Sequence, residues 1–205
     1  MNRLCQWAMF LVFVLAITGA GIKTVQASDV SLKERYSAEL ATEGSLAVLI
    51  DKRAQTLSLY DKGQVVKIYR CVFGVNPNGD KEHLGDNKTP EGRFYVTDKE
   101  ILNGDPTLGN RWIGLSYPDV PHAEAGLRKG IISSDQYWAI ATANKERQLP
   151  PQNTELGGWI GIHGAHEDLT KDGTNWTEGC IALLDSDLKE LFSVLRVGTP
   201  VIISG

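Results

Sequence analysis

Three short apolar segments follow one another near the start of the chain, with only turn sequences between them. Residues 45–50, 56–60 and 64–73 are rich in Val, Ile, Leu and Tyr, and the connections read DKR and DKG. Apolar runs of this length bounded by polar turns are typical of β-strands. Because the connections are so short, each strand has to pair with the next one along the chain. The pattern therefore predicts a β-meander.

Further strand-like and helical segments are spread over the rest of the chain. Strands are predicted at residues 93–97, 112–117, 158–163 and 201–203. Helices are predicted at residues 31–42, 133–147 and 187–195, the second with Ser133 or Ser134 as its N-cap. Residues 101–111 and 118–125 lack either pattern and are predicted to be irregular. We expect a mainly β fold, either a β-sandwich or a closed mixed sheet, with a few short helices.

The first 27 residues differ in character from the remainder. Arg3 gives a positive start, residues 7–17 are apolar, and the sequence VQA precedes Ser28. These features predict a cleaved secretory signal peptide, followed by a helical lead-in at 28–43 and one domain at 44–205. The alternative is an uncleaved anchor, although the apolar run is shorter than the ~20 residues of a spanning helix.

Removal of this segment changes the charge balance. It takes away Arg3 and Lys23, which leaves 19 basic and 25 acidic residues and a net charge of −6. Nucleic acid is therefore not expected as a partner, since nucleic-acid-binding surfaces are basic.

Two cysteines remain after residue 27, and they stand in different settings. Cys71 lies in an apolar run, whereas Cys180 follows a glycine at the end of a polar loop. An even pair in an oxidising compartment is also compatible with a disulfide, and this alternative stays open at the sequence level.

The segment from His163 to Cys180 carries the residues for nucleophilic chemistry. A strand-like run ends at His163, a polar stretch follows, and the sequence TEGC leads into another apolar run. A free thiol has a pKa of about 8.5, so acyl transfer needs a base or a positive potential beside it. His163 is the candidate base. Gly164 and Gly179 keep bulk away from both reactive side chains, so a carbonyl has room to approach.

Four stretches together resemble the L,D-transpeptidase catalytic domain, also called the YkuD-type domain. Residues 85–94 read GDNKTPEGRF, residues 116–118 read SYP, and residues 150–158 run from PPQ to GG. The fourth stretch combines IHG at 162–164 with WTEGCIA at 176–182, which is similar to one branch of the family. The resemblance covers about residues 44–205.

The resemblance implies a cell-wall enzyme that needs no metal or cofactor. Cys180 would be the nucleophile and His163 the base, with the Gly164 carbonyl orienting the imidazole. The amides around Gly179 and Cys180 would bind the oxyanion. The substrate would be a peptidoglycan stem tetrapeptide, and the acceptor a second stem peptide, an outer-membrane lipoprotein, a D-amino acid or water. The predicted signal peptide places the enzyme in the periplasm or cell envelope, and we expect a monomer.

Two positions depart from the family pattern. Many members have His where this chain has Glu178, and many have Arg where it has Ala182. An arginine there would bind a substrate carboxylate through two hydrogen bonds, which alanine cannot do. The candidates for substrate binding are therefore taken from other positions: Thr177, Lys88, Arg93, Arg111 and Trp176.

Rival interpretations remain at the sequence level. His166 lies three residues after His163, and Glu167, Asp168 or Cys180 would complete a zinc site in a peptidase. Against this, the HGAH sequence is not predicted to lie on a helix. A hydrolase of the same fold and a non-catalytic wall-binding module, in which Cys180 is a core residue, are the others. His83 and His122 are predicted to be solvated, and Trp112, Trp138 and Trp159 to belong to the core. Residues 74–92 and 118–151 are predicted to form the walls of the substrate groove.

Overall fold

One mixed sheet of eight strands carries the fold in the computed structural model, which describes residues 32–41, 46–105, 107–165 and 172–205. In chain order the strands are β1 (Leu46–Asp51), β2 (Thr56–Asp61), β3 (Gln64–Arg70), β4 (Gly92–Asp105), β5 (Gly109–Leu115), β6 (Gly161–Ala165), β7 (Ile181–Leu184) and β8 (Pro200–Ser204). The order across the sheet is β3-β2-β1-β8-β4-β5-β6-β7. The first three strands form the predicted antiparallel meander, while β1 with β8 and β6 with β7 are parallel pairs.

The two ends of this sheet meet through the residues that follow β3. The Val72 amide donates to the carbonyl oxygen of Ala182 in β7 at 3.0 Å, and the Ala182 amide donates back to Val72 at 2.9 Å. This bridge connects the edge strands, which would otherwise expose unpaired backbone groups. The prediction of a mainly β fold with a mixed sheet is confirmed.

Helices complete the fold, with a helical turn at residues 32–35 followed by α1 (Ser37–Leu40), α2 (Val120–Arg128), α3 (Ser134–Lys145) and α4 (Asp185–Val194). Helix α3 starts where the sequence predicted, with Ser133 as its N-cap. Ser133 and Gln136 form a reciprocal capping box that stabilises this start. In α4, Leu188 and Leu191 are fully buried in the main core. Apolar packing of these two leucines thereby fixes α4 against the sheet.

Alternation along β1 shows how the sheet separates its two faces. Val48 and Ile50 belong to the main core, while Ala47 and Leu49 pack on the other face under α1. Side chains alternate across a strand, so one strand serves both clusters. The main core also contains residues of β6 and β7, so apolar packing supports one face of these two strands.

Two segments predicted to be irregular are ordered instead. Residues 101–111 include the ends of β4 and β5, whose hairpin is largely exposed and so has no alternating apolar pattern. Within 118–125, α2 begins at Val120 with Asp119 as its N-cap, whose carboxylate accepts from the His122 amide at 3.0 Å. Pro121 lies in the first turn, where a helix needs no amide donor.

The predicted signal peptide, residues 1–27, lies outside the described residues. Residues 32–41 of the predicted lead-in are described and include α1. Among the helices that the structure describes, none is both long and apolar enough to cross a bilayer.

Candidate active site

Cys180 directly precedes β7 and lies beside the start of β6. Its thiol donates to the carbonyl oxygen of Trp159 at 3.4 Å, and the Gly161 amide forms a hydrogen bond to the sulphur that favours the thiolate. Cys180 is partly exposed, whereas Cys71 is 1% exposed within the main core. Both are free thiols, so the disulfide considered from the sequence does not occur in the structure.

His163 lies on β6 and faces the same side of the sheet as Cys180. His163 pairs with Ala182 in the parallel register of β6 and β7, and Cys180 lies two positions before Ala182. Side chains two positions apart on an extended chain point to the same face. The sheet therefore brings the imidazole and the thiol to one face.

A backbone hydrogen bond sets the tautomer of His163. Its Nδ1 lies 2.8 Å from the carbonyl oxygen of Gly164, and His163 is only 1% exposed. A carbonyl oxygen can only accept, so Nδ1 carries the proton and Nε2 keeps its lone pair. The contact expected of the Gly164 carbonyl is present, and it leaves Nε2 as the basic atom.

Two tryptophans enclose the imidazole. Trp112 stacks on it with ring centroids 6.4 Å apart and an interplanar angle of 11°, and Trp176 meets it edge to face at 5.6 Å and 71°. The Trp112 indole donates to Asp98 at 3.1 Å, which fixes its orientation. The Trp176 Nε1 is buried and has no acceptor among the described residues. This aromatic slot, Trp112 and Trp176, excludes water from the imidazole.

The reactive pair is neutral around neutral pH. Burial lowers the pKa of His163 below its ordinary 6.5, although the Gly164 carbonyl, Asp105 and Asp185 act in the opposite direction. Desolvation of the sulphur raises the pKa of Cys180 to about 11, against the Gly161 amide and Lys81. A resting thiolate–imidazolium pair is therefore disfavoured, and the thiolate forms as His163 accepts the proton.

Gly164 is confined by its neighbours. A methyl group there would lie 1.9 Å from Asp185 Oδ1, and the Gly164 amide donates to the Leu108 carbonyl at 3.1 Å. Asp185 in turn accepts from the Asn110 side chain at 3.2 Å. The absence of a Cβ lets β6 approach the start of α4.

The turn before the cysteine is held by Thr177. Its hydroxyl accepts from the Gly179 amide at 3.2 Å and donates to the Cys180 carbonyl at 2.7 Å, and Thr177 is 4% exposed. Thr177, proposed above to bind substrate, thus has its hydroxyl engaged inside the turn. The Gly179 amide, expected to receive an oxyanion, is engaged in the same turn in this structure.

The loop 74–92 packs directly on this turn. The Gly74 amide donates to Thr89 Oγ1 at 3.0 Å, and a methyl on Gly74 would lie 2.2 Å from the Asn87 carbonyl oxygen and 3.3 Å from the Gly179 Cα. A methyl on Gly179, whose φ is +137°, would lie 2.8 Å from the Lys88 carbonyl oxygen. The loop therefore forms a wall beside the cysteine.

A buried carboxylate shapes this loop from within. Asp86 accepts from Lys81 Nζ at 2.7 Å and from the amides of Glu82 and His83 at 2.7 and 3.1 Å. Although burial opposes it, these hydrogen bonds lower the pKa of Asp86 to about 2. The loop is thus built around a permanent ion pair.

A second buried cation ties the loop to the sheet. The Lys52 ammonium donates to the carbonyl oxygens of Gly79 and Thr89, at 2.7 and 3.0 Å, and to Glu91 Oε1 at 2.9 Å. Long-range contacts of this kind order a segment without regular secondary structure.

Of the three predicted substrate-binding cations, the structure places only Lys88 beside the cysteine turn. The Arg93 guanidinium lies 5.2 Å from the Tyr36 ring, at a cavity of about 710 Å³ whose lining includes neither Cys180 nor His163. The Arg111 guanidinium lies 5.9 Å from the Phe192 ring. Arg111 precedes the residue that stacks on His163, so alternation directs it to the opposite face. Arg93 and Arg111 therefore lie away from the cysteine turn in this structure, and their role in substrate binding stays a prediction.

His122 is buried, contrary to the prediction of a solvated histidine. It is 7% exposed, and its ring contacts Asp119 Oδ1 at 2.5 Å through Nδ1 and Asp80 Oδ1 at 3.0 Å through Nε2. Burial alone would lower the pKa of His122, but the two carboxylates raise it to about 9. A charged His122 links the loop 74–92 to the start of α2, within the segment predicted to form the other wall.

Exposure of the tryptophans also differs from the prediction. Trp138 and Trp159 are 64% and 62% exposed, and neither belongs to the core. Trp112 is partly buried in the aromatic slot described above. Trp112, Trp159 and Gly161 are therefore site residues that were not predicted from the sequence. For Trp159 and Gly161, the available signal was the predicted strand at residues 158–163, which leads to His163.

The zinc site considered from the sequence lies only partly within the described residues. Residues 166–168 lie outside the described residues. Among the described residues, no group of three His, Cys, Asp or Glu side chains is placed to hold a metal ion.

Comparisons with known proteins agree with the fold. The family model YkuD, which describes the L,D-transpeptidase catalytic domain, matches residues 45–203. The helical cell shape determining protein Pgp2 from Campylobacter jejuni is similar, with a TM-score of 0.50 and 21% identity over 84% of this chain and 55% of that chain. Bd1075 from Bdellovibrio bacteriovorus is similar, with a TM-score of 0.49 and 19% identity over 78% of this chain and 47% of that chain.

An L,D-transpeptidase from Mycobacterium smegmatis has a TM-score of 0.46 and 16% identity, over 78% of this chain and 59% of that chain. The chain thus spans about half the length of the structures it resembles. A comparison with curated protein sequences gave no match.

Proposed function

Because this chain belongs to the L,D-transpeptidase catalytic-domain family, we propose that it is a peptidoglycan-modifying cysteine transpeptidase with Cys180 as nucleophile and His163 as general base. The observation that carries the assignment of roles is the hydrogen bond from His163 Nδ1 to Gly164. It leaves the Nε2 lone pair for a proton, on the face of the sheet that also carries Cys180.

The first half-reaction is acylation of the enzyme. His163 Nε2 takes the thiol proton while the Cys180 sulphur attacks the carbonyl carbon of the third stem residue, which is diaminopimelate in our proposal. The tetrahedral intermediate collapses, the amide C–N bond breaks, and the proton passes from His163 to the nitrogen of the departing D-alanine. A thioester on Cys180 remains.

The second half-reaction returns the enzyme to its resting state. An acceptor amine attacks the thioester carbonyl, the C–S bond breaks, and the amine proton passes through His163 to the sulphur. The acceptor in this proposal is a stem peptide, a lipoprotein amine or a free D-amino acid. If water takes its place, the same residues give a hydrolase.

Developing charge on the carbonyl oxygen needs donors near the sulphur. The Gly161 amide already bonds to the Cys180 sulphur and supports the thiolate leaving group. The Gly179 amide donates to Thr177 at 3.2 Å, so it serves the oxyanion only when that bond is exchanged for one to substrate. The aromatic slot keeps the imidazole dry throughout.

We place this reaction in the periplasm, in keeping with the signal peptide proposed at residues 1–27, and we propose a monomer. The partners are peptidoglycan stem peptides, with an outer-membrane lipoprotein as one possible acceptor. In this proposal the reaction uses no metal and no cofactor.

The test is incubation with defined tetrapeptide muropeptides and mass spectrometry of protein and products. We expect D-alanine release and one acyl mass on Cys180, together with a transpeptidation product when an amine is present. Cys180→Ala should abolish both, and His163→Gln should slow acylation by ~10²- to 10⁴-fold. Cys71→Ala is the matched control and should retain acylation, because Cys71 lies in the core. A fully active Cys180→Ala protein contradicts the proposal.

A further inference from the structure

Two residues near Cys180 have exposed side chains, Trp159 and Glu178. In the parallel register of β6 and β7, Ile162 pairs with Ile181, and Trp159 and Glu178 each lie three residues before this pair along their own segments. Contacts upstream of the strands agree with this offset: a methyl on Gly179 would lie 3.1 Å from the Ile160 Cδ1 atom. Trp159 contacts the nucleophile through its carbonyl oxygen, and Glu178 lies two residues before the nucleophile in the chain.

Trp159 is fixed in an unusual conformation. Its φ is +55°, its carbonyl oxygen accepts from the Cys180 thiol, and its amide donates to Gln152 Oε1 at 2.5 Å. Gln152 is itself held by the carbonyl oxygens of Tyr117 and Pro150, at 2.9 and 2.7 Å. A left-handed backbone is costly for a residue with a bulky side chain, and such strain is concentrated at functional sites. Here it presents a 62% exposed indole beside the reactive sulphur.

The charge around this indole favours a cation. The Glu178 carboxylate is exposed and close enough to Cys180 to act on the thiol electrostatically. Of the nearby lysines, Lys81 is neutralised by Asp86 at 2.7 Å, and the Lys88 ammonium lies towards Gly79, 3.6 Å from a methyl placed there. A tryptophan face and a carboxylate attract the same kind of ligand, a positively charged nitrogen.

We propose that Trp159 and Glu178 bind the acceptor as an alkylammonium ion and so select primary alkylamines over amines that carry a carboxylate beside the nitrogen. This inference rests on the proposed function and adds the recognition of its second substrate. Alkylamines are almost entirely protonated at neutral pH. The bound ammonium gives one proton to neutral His163 Nε2, and the resulting free amine attacks the thioester carbonyl. The C–S bond breaks and an amide forms, while the second proton of the attacking nitrogen passes to the departing thiolate. His163 then releases its proton to solvent.

The experiment separates the two half-reactions. Acylation is followed as D-alanine release and acyl-enzyme mass without an amine, using a tetrapeptide muropeptide. Transfer is then measured against the concentration of N-acetyl-lysine amide, a simple alkylammonium, and of glycine, which carries a carboxylate. The variants are Trp159→Leu, which keeps apolar bulk without the aromatic face, Glu178→Gln, which keeps shape without charge, and Glu178→Lys.

We expect Trp159→Leu and Glu178→Gln each to raise the KM for N-acetyl-lysine amide about two- to fivefold, and to change this KM by a larger factor than the acylation rate. Glu178→Lys should raise it further and shift the preference towards glycine. Added salt should raise the KM of the parent enzyme more than that of Glu178→Gln, because ions screen an exposed charge. Trp138→Leu, a change at another exposed tryptophan in α3, is the matched control and should alter neither step.

The possible failures are distinct. If the parent enzyme is not acylated, the proposed function fails and this inference with it. If acylation proceeds while the KM for N-acetyl-lysine amide is unchanged in all three variants, the acceptor binds elsewhere and the inference alone is overturned. If the variants lose acylation instead, Trp159 and Glu178 belong to the donor site, which also overturns it.

Discussion

His163 and Gly164 are neighbours on β6, and the Nδ1–H of the first donates to the carbonyl oxygen of the second across 2.8 Å. This bond fixes the tautomer and rotation of the imidazole, which Trp112 and Trp176 also contact. A base of this kind works while it is neutral, so its protonation in acid ends catalysis. The pH dependence of the reaction therefore reports on His163.

We predict that the acidic limb of kcat/KM lies below pH 6.5. Burial lowers the pKa of His163, so the imidazole stays neutral and active at pH values where a solvated histidine would be protonated. The basic limb should lie near pH 11, where the Cys180 thiol ionises. Acylation rates over a pH series would check this, with His83→Gln as a control at an exposed histidine. An acidic limb at pH 6.5 or above would contradict the burial of the imidazole.

A second prediction concerns the aromatic slot. Trp112→Leu removes the stacking partner of His163 and admits water to the ring. We expect kcat to fall by ~10- to 100-fold, because small misplacements of a catalytic group are costly, and the acidic limb to move up towards pH 6.5. A purely structural role would lower the yield of folded protein without moving the limb. Asp98→Asn, which keeps an acceptor for the indole, should have a smaller effect.

The third prediction tests the close approach of β6 to α4. Gly164→Ala would place a methyl 1.9 Å from Asp185 Oδ1, so either the strand or the helix start must shift. We expect a loss of ~1–3 kcal/mol in the free energy of unfolding and a loss of acylation. Asp185→Ala should restore part of both in the double variant, as measured by urea unfolding and acyl-enzyme mass. No rescue would mean that Asp185 is not the obstacle.

The sequence predicted the strands that have an apolar pattern and missed elements held by other interactions. The meander and α3 could be predicted because Val, Ile and Leu alternate in the first and a capping box marks the second. The β4–β5 hairpin beyond Ile101 projects into solvent, where backbone pairing alone defines it, and Ile101 is 73% exposed. A strand whose side chains are mostly exposed lacks the alternation of apolar and polar residues from which strands are predicted.

The site shows the same division. His163 and Cys180 are close to distinctive glycines, so the motif could be recognised from local sequence. Trp112 reaches His163 from another strand, and nothing in its own neighbourhood predicts the register that pairs them. The side to which Arg111 points depends on that same register, and for this reason its position relative to the cysteine could not be predicted. Long-range pairing is the information that one sequence lacks.

The last prediction concerns His122, whose two carboxylate partners come from different elements. Asp119 is the N-cap of α2 and Asp80 belongs to the loop 74–92, so a charged imidazole joins them. The pKa of His122 is raised from 6.5 to about 9 in the folded state. Its contribution to stability is therefore complete below pH 6.5 and is lost as the pH rises through 9.

We expect the free energy of unfolding of the parent protein to fall between pH 6.5 and 9, as measured by urea unfolding. In His122→Gln this slope should be much reduced, because the variant has no proton to lose at this position, and the protein should be less stable at pH 6. The stability difference between the two should narrow as the pH approaches 9. His83→Gln, at an exposed histidine, should keep the parent's slope. An unchanged slope in His122→Gln would show that this imidazole is not the group that titrates.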